Sequence, residues 1–169
     1  MRPTPILFAL LVLCAFRPFA RGQETGARQP DIGVDQRLGR TVSSSLTFQD
    51  ERGASVTLGQ LIGGKPVILA PIYLRCPSIC PLTLKNLQDV IANLDLKAGV
   101  DYRVLAVSFN PQEDWRLAAD RKRNFLAGLD FAIPDDGWRF ITSPDGAAAE
   151  LCRQIGFRYE QQGADFLHP

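Results

Sequence analysis

Two kinds of hydrophobic pattern alternate along the chain. Residues 66–73 and 102–109 are almost continuously apolar and are bounded by turn residues, which is typical of strands buried on both faces of a parallel sheet. Residues 81–97 and 114–129 instead carry apolar residues at helical spacing. A short strand, a helix and another short strand are predicted at residues 138–141, 143–155 and 157–159. This alternation predicts an α/β domain with a mostly parallel sheet flanked by helices.

The first 40 residues do not share this pattern. Arg2 precedes an apolar run of 11 residues, ILFALLVLCAF, and small residues follow at Ala20 and Gly22. Because a bilayer-spanning helix needs about 20 apolar residues, we interpret residues 1–22 as a secretory signal peptide, or as a short membrane anchor. Residues 23–40 are interpreted as a flexible lead-in. We therefore expect an exported protein, periplasmic or anchored facing the periplasm, in a compartment where disulfides persist.

Residues 41–169 are expected to form the folded domain. They begin with a predicted β-hairpin that turns at Arg52-Gly53, followed by a short helical turn at Leu58–Ile62. The whole chain is 46% hydrophobic and 22% charged, as in ordinary soluble domains, and its net charge is +1. Nothing in this charge balance favours a nucleic-acid partner.

The segment YLRCPSICP places Cys76 and Cys80 directly after the first buried strand and at the start of the following helix. Sites in parallel sheets lie at the carboxyl ends of strands. A helix N-terminus lowers the pKa of a nearby thiol, and Arg75 adds a positive charge. Two sulfurs four residues apart could form a disulfide, act as a redox couple, or bind one metal ion.

The chain contains one histidine, His168, which is the residue before the last. Two thiolates and an imidazole suit copper in either oxidation state, because thiolates favour Cu(I) and imidazole helps to hold Cu(II). Zinc is less well matched, because it usually takes a fourth ligand and the chain has no second histidine to supply one. Asp165 is a candidate to orient the His168 ring by accepting a hydrogen bond from it.

Other chemically distinctive residues have structural interpretations. Cys152 shares a predicted helix face with apolar residues and is expected to be a buried, unreactive thiol. Trp115 and Trp138 are expected in the core. The run at residues 121–123, RKR, is expected to be a solvated helix face, with a docking patch for an acidic partner as the alternative.

Four segments, in this order, resemble the Sco/SenC family of copper-binding, thioredoxin-like proteins of cytochrome c oxidase assembly. They are VILAPIYLRCPSICPLTLKNL, VSFNPQEDW, GWRFITSPDGAAAELCRQIGFRYE and ADFLHP. Together they cover roughly residues 40–169. A bare pair of cysteines would be a weak signal, whereas the ordered set is specific.

The resemblance implies a thioredoxin-like fold with a mixed sheet, and one copper ion, Cu(I) or Cu(II), bound by Cys76, Cys80 and His168. It also implies delivery of that copper to the copper-site subunit of cytochrome c oxidase. Family members continue past the histidine with further strands and a last helix, which this sequence lacks. We therefore expect an unpaired edge strand in the sheet and a frayed terminus at His168.

A copper chaperone, rather than an enzyme, is the favoured interpretation. The alternative is a thiol-disulfide oxidoreductase in which Cys76 and Cys80 are the catalytic redox pair, supplied with electrons by thiol reductants of the exported compartment. A peroxiredoxin is disfavoured because Tyr73 occupies the position where those enzymes carry Thr or Ser. A purely structural disulfide is disfavoured because so small a loop adds little stability.

Overall fold

A computed structural model describes residues 28–169 of the chain. The predicted signal peptide or anchor at residues 1–22 lies outside the described residues. The strands are β1 (Gly33–Val34), β2 (Thr47–Gln49), β3 (Ser55–Thr57), β4 (Val67–Ile72), β5 (Arg103–Ser108), β6 (Trp138–Ile141), β7 (Phe157–Arg158), β8 (Glu160–Gln162) and β9 (Asp165–Leu167). The helices are α1 (Leu58–Ile62), α2 (Ile79–Ala92), α3 (Trp115–Ala127) and α4 (Ala147–Ile155).

Strands β4, β5 and β6 form a parallel sheet in that order. The middle strand β5 is the most buried, since all of its residues after Arg103 are inaccessible to solvent. Strand β4 pairs with β5 alone among the described residues, so one of its edges carries no neighbouring strand. Helix α2 connects β4 to β5 and helix α3 connects β5 to β6, as the alternating pattern predicted.

Antiparallel elements surround this sheet and make the architecture mixed. The predicted hairpin is present as β2 paired with β3. It is joined to the end of β6 by two hydrogen bonds between Gln49 and Thr142, of 2.8 and 3.0 Å. The predicted α/β class, with a mixed sheet and helices, is therefore confirmed.

The two tryptophans differ from each other. Trp138 is fully buried and packs against Phe125, with ring centroids 4.7 Å apart, so its predicted place in the core is confirmed. The prediction for Trp115 is wrong. Trp115 is half-buried at the first position of α3, where the Arg116 guanidinium lies 4.5 Å from its ring centroid. Its indole lies against Gly53 in the turn of the β2–β3 hairpin, where an added Cβ would come within 3.0 Å of the ring.

The expected flexible lead-in at residues 23–40 contains a strand. Residues Gly33 and Val34 pair antiparallel with β7, and the Asp35 N–H donates to the Gly156 carbonyl at 2.8 Å. Gly156 ends α4 with a φ of 79°, and a Cβ there would lie 2.1 Å from the Asp35 carbonyl oxygen. A glycine is thus required for this segment to approach the helix end.

The RKR run is not uniformly solvated, which corrects the prediction for its middle residue. Lys122 is only 7% exposed, and its ammonium lies 3.3 Å from Glu51 and 2.9 Å from Asp135. Glu51 also pairs with Arg139 at 2.8 Å. The cluster ties the turn of the β2–β3 hairpin to helix α3 and strand β6.

Within the part of the chain that the structure describes, none of the helices combines the length and hydrophobicity needed to span a bilayer.

We predict that Lys122→Ala lowers the free energy of unfolding by about 2–3 kcal/mol, because it leaves buried Glu51 with one cation fewer. The neighbouring exposed Arg121→Ala is the control and should change it by less than about 0.5 kcal/mol. Urea denaturation followed by tryptophan fluorescence measures both. Equal effects would show that the cluster adds no stability.

Candidate metal centre

The cysteine loop connects the end of β4 to the start of α2. Helix α2 begins two residues earlier than predicted, at Ile79, so Cys80 lies in its first turn and Pro81 at its third position. The N-cap residue Ser78 makes no side-chain capping hydrogen bond. Instead the Cys80 N–H donates to the Cys76 sulfur at 3.4 Å. The sulfur of Cys76 thus accepts a hydrogen bond from a free N–H at the helix N-terminus.

A buried carboxylate holds the same loop from the other side. Glu113 is 1% exposed and accepts the backbone N–H groups of Leu74 and Arg75 at 2.6 and 2.8 Å. It also accepts the Ser108 hydroxyl at 2.6 Å. Leu74 and Arg75 immediately precede Cys76, so these bonds fix the path of the chain into the first cysteine.

His168 is brought to the cysteines by the β8–β9 hairpin. Its Nε2 lies 3.9 Å from the Cys76 sulfur and 3.7 Å from the Cys80 sulfur. The three ligand atoms all lie within 4.8 Å of one another. The expectation of a frayed terminus is therefore wrong, because residues 160–167 form a hairpin that ends directly over the thiols.

The predicted role of Asp165 is also wrong. Its carboxylate accepts a hydrogen bond from the Tyr73 hydroxyl and another from the Phe166 N–H, whereas His168 Nδ1 lies 3.1 Å from the Pro169 carbonyl oxygen. Asp165 precedes His168 by three residues on a short strand, so its side chain points toward Tyr73 rather than toward the imidazole.

Aromatic rings support the histidine. The His168 ring meets the Tyr73 ring edge-on, with centroids 5.6 Å apart and planes at 88°, and lies 5.6 Å from Phe109. Phe166 of β9 packs against both of these rings at 5.3 and 5.5 Å. These aromatic contacts hold the imidazole against the rings of Tyr73 and Phe109.

The two thiols have opposite electrostatic environments. Burial favours the neutral form of Cys76 and by itself would raise the pKa of this thiol. Hydrogen bonds outweigh burial and lower the pKa to about 6; they come from the N–H groups of Cys80 and Ser78 and from the side chains of His168 and Cys80. Burial is the main cause that raises the pKa of Cys80 to about 12, and the charges of Cys76 and Glu113 add to it. The pair therefore consists of one thiolate and one thiol at neutral pH. Arg75 is exposed, and hydrogen bonds rather than its charge are the main causes that lower the pKa of Cys76.

The third described cysteine, Cys152, lies apart from this cluster. It is 2% exposed, and burial raises its pKa to about 12. No disulfide joins any of the three described cysteines. The buried, unreactive thiol predicted for Cys152 agrees with this environment.

The donor set and its spacing fit a three-coordinate metal ion. Bonds of about 2.3 Å to sulfur and about 2.0 Å to nitrogen, at trigonal angles, would separate a sulfur from a nitrogen by about 3.7 Å. The observed sulfur–nitrogen distances are 3.7 and 3.9 Å. Among residues 28–169, this is the one group of three Cys, His or acidic ligands with such spacing. Thiolate and imidazole are ligands for soft or borderline metals rather than for Mg²⁺ or Ca²⁺.

A cleft of about 360 Å³ opens beside both cysteines, between helices α2 and α3. Its walls are mostly apolar, with Leu84 and Phe125 contributed by the two helices, and Lys85 and Arg121 lie at its rim. Both cysteines line this cleft, whereas His168 does not.

A family model described as SCO1/SenC matches residues 34–119, which is half of the chain. The chain belongs to the SCO1/SenC family. The matched residues include both cysteines and Glu113, whereas His168 lies beyond them. A comparison with the sequences of curated proteins finds no match.

Solved structures extend the family likeness to the fold. A provisionally described electron transfer protein from Aquifex aeolicus VF5 is 32% identical, with a TM-score of 0.68, over 78% of this chain and 74% of that one. Arabidopsis thaliana ScoI with copper bound is 25% identical, with a TM-score of 0.54, over 72% and 71% of the two chains. BsSco, described as a member of the Sco family of cytochrome c oxidase assembly proteins, is 24% identical, with a TM-score of 0.52, over 73% and 67%. The predicted thioredoxin-like fold of this SCO1/SenC member is confirmed.

Sequence reasoning identified the three candidate ligands but not the residues that hold them. Glu113 lies in the segment VSFNPQEDW, where nothing in the sequence marks it as a buried acceptor, and Tyr73 ends an apolar run that is typical of a buried strand. Nothing in the sequence indicates that Phe109 and Phe166 support the histidine, because aromatic residues are common in ordinary strands.

We predict that Glu113→Ala lowers the free energy of unfolding by about 3 kcal/mol, because it leaves the N–H groups of Leu74 and Arg75 without their acceptor. The exposed neighbour Gln112→Ala is the control and should cost less than about 0.5 kcal/mol. Urea denaturation of the reduced proteins compares them. The assigned role fails if the two variants are equally stable.

We predict that iodoacetamide alkylates Cys76 in a Cys80→Ser variant with a half-maximal rate near pH 6, since only the thiolate reacts. The rate falls as the pH drops through this value and is constant above it. Adding His168→Ala should move the midpoint upward, because His168 is among the groups that lower the pKa. Peptide mass spectrometry separates this reaction from that of Cys152. A midpoint near that of a free cysteine, about pH 8.5, would contradict the thiolate assignment.

Proposed function

We propose that this SCO1/SenC protein binds one copper ion through Cys76, Cys80 and His168 and donates it during assembly of the copper site of cytochrome c oxidase. The observation that carries the proposal is the convergence of His168 Nε2 on both sulfurs, at 3.9 and 3.7 Å, from a distant part of the sequence. A protein that only exchanged disulfides would need no imidazole at this place.

The ligand chemistry supports copper as the cargo. Two sulfurs suit Cu(I), and the imidazole adds a ligand that suits Cu(II). Arabidopsis thaliana ScoI, at 25% identity, has been solved with copper bound. Loss of the Cys80 proton on binding is part of the proposal, since the metal, not the protein, must stabilise this second thiolate.

The partner and the compartment belong to the proposal as well. BsSco is described as belonging to a family of cytochrome c oxidase assembly proteins. The N-terminal pattern of residues 1–22 supports export, and the acceptor we propose is the exported copper-site subunit of the oxidase. Both cysteines line the cleft between α2 and α3, and an acceptor's ligands would reach the metal through this cleft.

Thiol-disulfide exchange is a second candidate, favoured by the unequal thiols. The Cys76 thiolate would attack a partner's disulfide and form a mixed disulfide, releasing one partner thiolate. The Cys80 thiol would lose its proton and displace the second partner thiolate, which leaves a Cys76–Cys80 disulfide and a reduced partner. A thiol reductant of the exported compartment would have to return two electrons to complete the cycle.

Anaerobic titration of the reduced full chain with copper tests the proposal. We predict one copper per chain, abolition of binding by Cys76→Ser, and weaker binding by His168→Ala. Cys152→Ser is the matched control and should bind as the wild type does, because Cys152 is buried away from the site. Metal analysis gives the stoichiometry, and Cu(II)–thiolate charge transfer gives the ligands.

Absence of copper binding, with the Cys76–Cys80 pair still oxidised and reduced reversibly, would overturn the copper proposal and leave thiol-disulfide exchange as the function of the site.

A further inference from the structure

The hairpin that carries His168 is attached to the rest of the protein by few directional contacts. Strands β8 and β9 pair with each other and, among the described residues, with no other strand. Phe166 is 7% exposed and packs on the rings of Tyr73 and Phe109. These aromatic contacts have preferred ring geometries. A hydrogen bond between the cysteine loop and the hairpin adds a directional constraint on the position of His168.

Tyr73 supplies that bond. Its hydroxyl donates to the Asp165 carboxylate at the start of β9, and its ring packs nearly perpendicular to the His168 ring. Tyr73 is 4% exposed and lies three residues before Cys76, at the start of the loop held by Glu113. Apart from the contacts of His168 itself with the two sulfurs, this is the one side-chain hydrogen bond in the described structure that joins the hairpin to the cysteine loop. Hydrogen bonds to a charged acceptor are the stronger kind.

We propose that Tyr73 and Asp165 form a latch that positions His168 over the thiols and so selects which oxidation state of copper the site prefers. The inference rests on the proposed copper-binding function. Cu(I) is satisfied by the two thiolates, whereas Cu(II) gains more from the imidazole. A loosened hairpin therefore weakens Cu(II) binding more than Cu(I) binding. Tyr73 is a positioning residue in this account, because it acts through His168.

The test is Tyr73→Phe in the full chain, with affinities for Cu(I) and Cu(II) measured separately by competition with chelators. We expect Cu(II) affinity to fall about tenfold and Cu(I) affinity to change less than threefold. A tenfold change in their ratio corresponds to a rise of about 59 mV in the potential of the bound one-electron couple. Asp165→Ala should match Tyr73→Phe. Asp165→Asn should keep part of the wild-type Cu(II) affinity, because its amide oxygen still accepts the hydrogen bond from the Tyr73 hydroxyl.

Tyr102→Phe is the matched control. Tyr102 is also 4% exposed, and its hydroxyl has no hydrogen-bond partner. Its removal should leave both affinities and the potential unchanged. Equal weakening of Cu(I) and Cu(II) by Tyr73→Phe, or the same shift of potential in Tyr102→Phe, would overturn the latch.

The metal-free protein separates failure of the latch from failure of the proposed function. Because His168 is the only histidine in the chain, its ring proton signals in an NMR spectrum identify it directly. Tyr73→Phe should move these signals toward those of a free histidine, and Tyr102→Phe should not. If the signals move but the wild type binds no copper, the latch stands and the copper function falls. Unmoved signals overturn the latch.

Discussion

Two backbone N–H groups at the end of strand β4 point into the protein, and the buried carboxylate of Glu113 accepts both. These two bonds fix the path of the chain two residues before Cys76. The hydrogen bond from the Cys80 N–H to the Cys76 sulfur lies at the start of α2. Everything else at the site depends on this defined loop, because His168 can complete a metal centre only over sulfurs whose positions are fixed.

The same geometry gives the thiols unequal roles. Cys76 receives the helix N–H groups and the imidazole, which stabilise its thiolate, while Cys80 is buried behind it and close to the charge of Glu113. One ready thiolate and one protonated thiol suit stepwise chemistry, either capture of a metal ion or attack on a disulfide. The imidazole distinguishes metal binding from disulfide exchange, because only metal binding uses it. The few contacts that position His168 therefore bear directly on the function of the site.

Much of the fold and all three candidate ligands could be predicted from the sequence, for identifiable reasons. The spacing of apolar residues in the sequence shows the buried strands and the amphipathic helices directly. Cys76, Cys80 and His168 belong to rare residue types whose chemistry is recognisable. Glu113, Tyr73 and Lys122 could not be assigned in this way. Apart from the Ser108 hydroxyl on Glu113, the partners cited for these residues lie 13 to 92 residues away, and a periodic pattern carries no information about such contacts. The hairpin at residues 160–167 was missed because its strands are three residues each, too short to alternate visibly.

A loop and a hairpin whose ligands are 88 to 92 residues apart in the sequence converge into a single three-ligand centre. X-ray absorption at the copper edge of the copper-loaded full chain tests it most directly, because the spectrum counts sulfur and nitrogen neighbours of the metal. We predict two sulfurs at about 2.3 Å and one imidazole nitrogen at about 2.0 Å in the Cu(II) form, with the nitrogen lost in His168→Ala. A first shell without sulfur, or an imidazole that persists in His168→Ala, would contradict it.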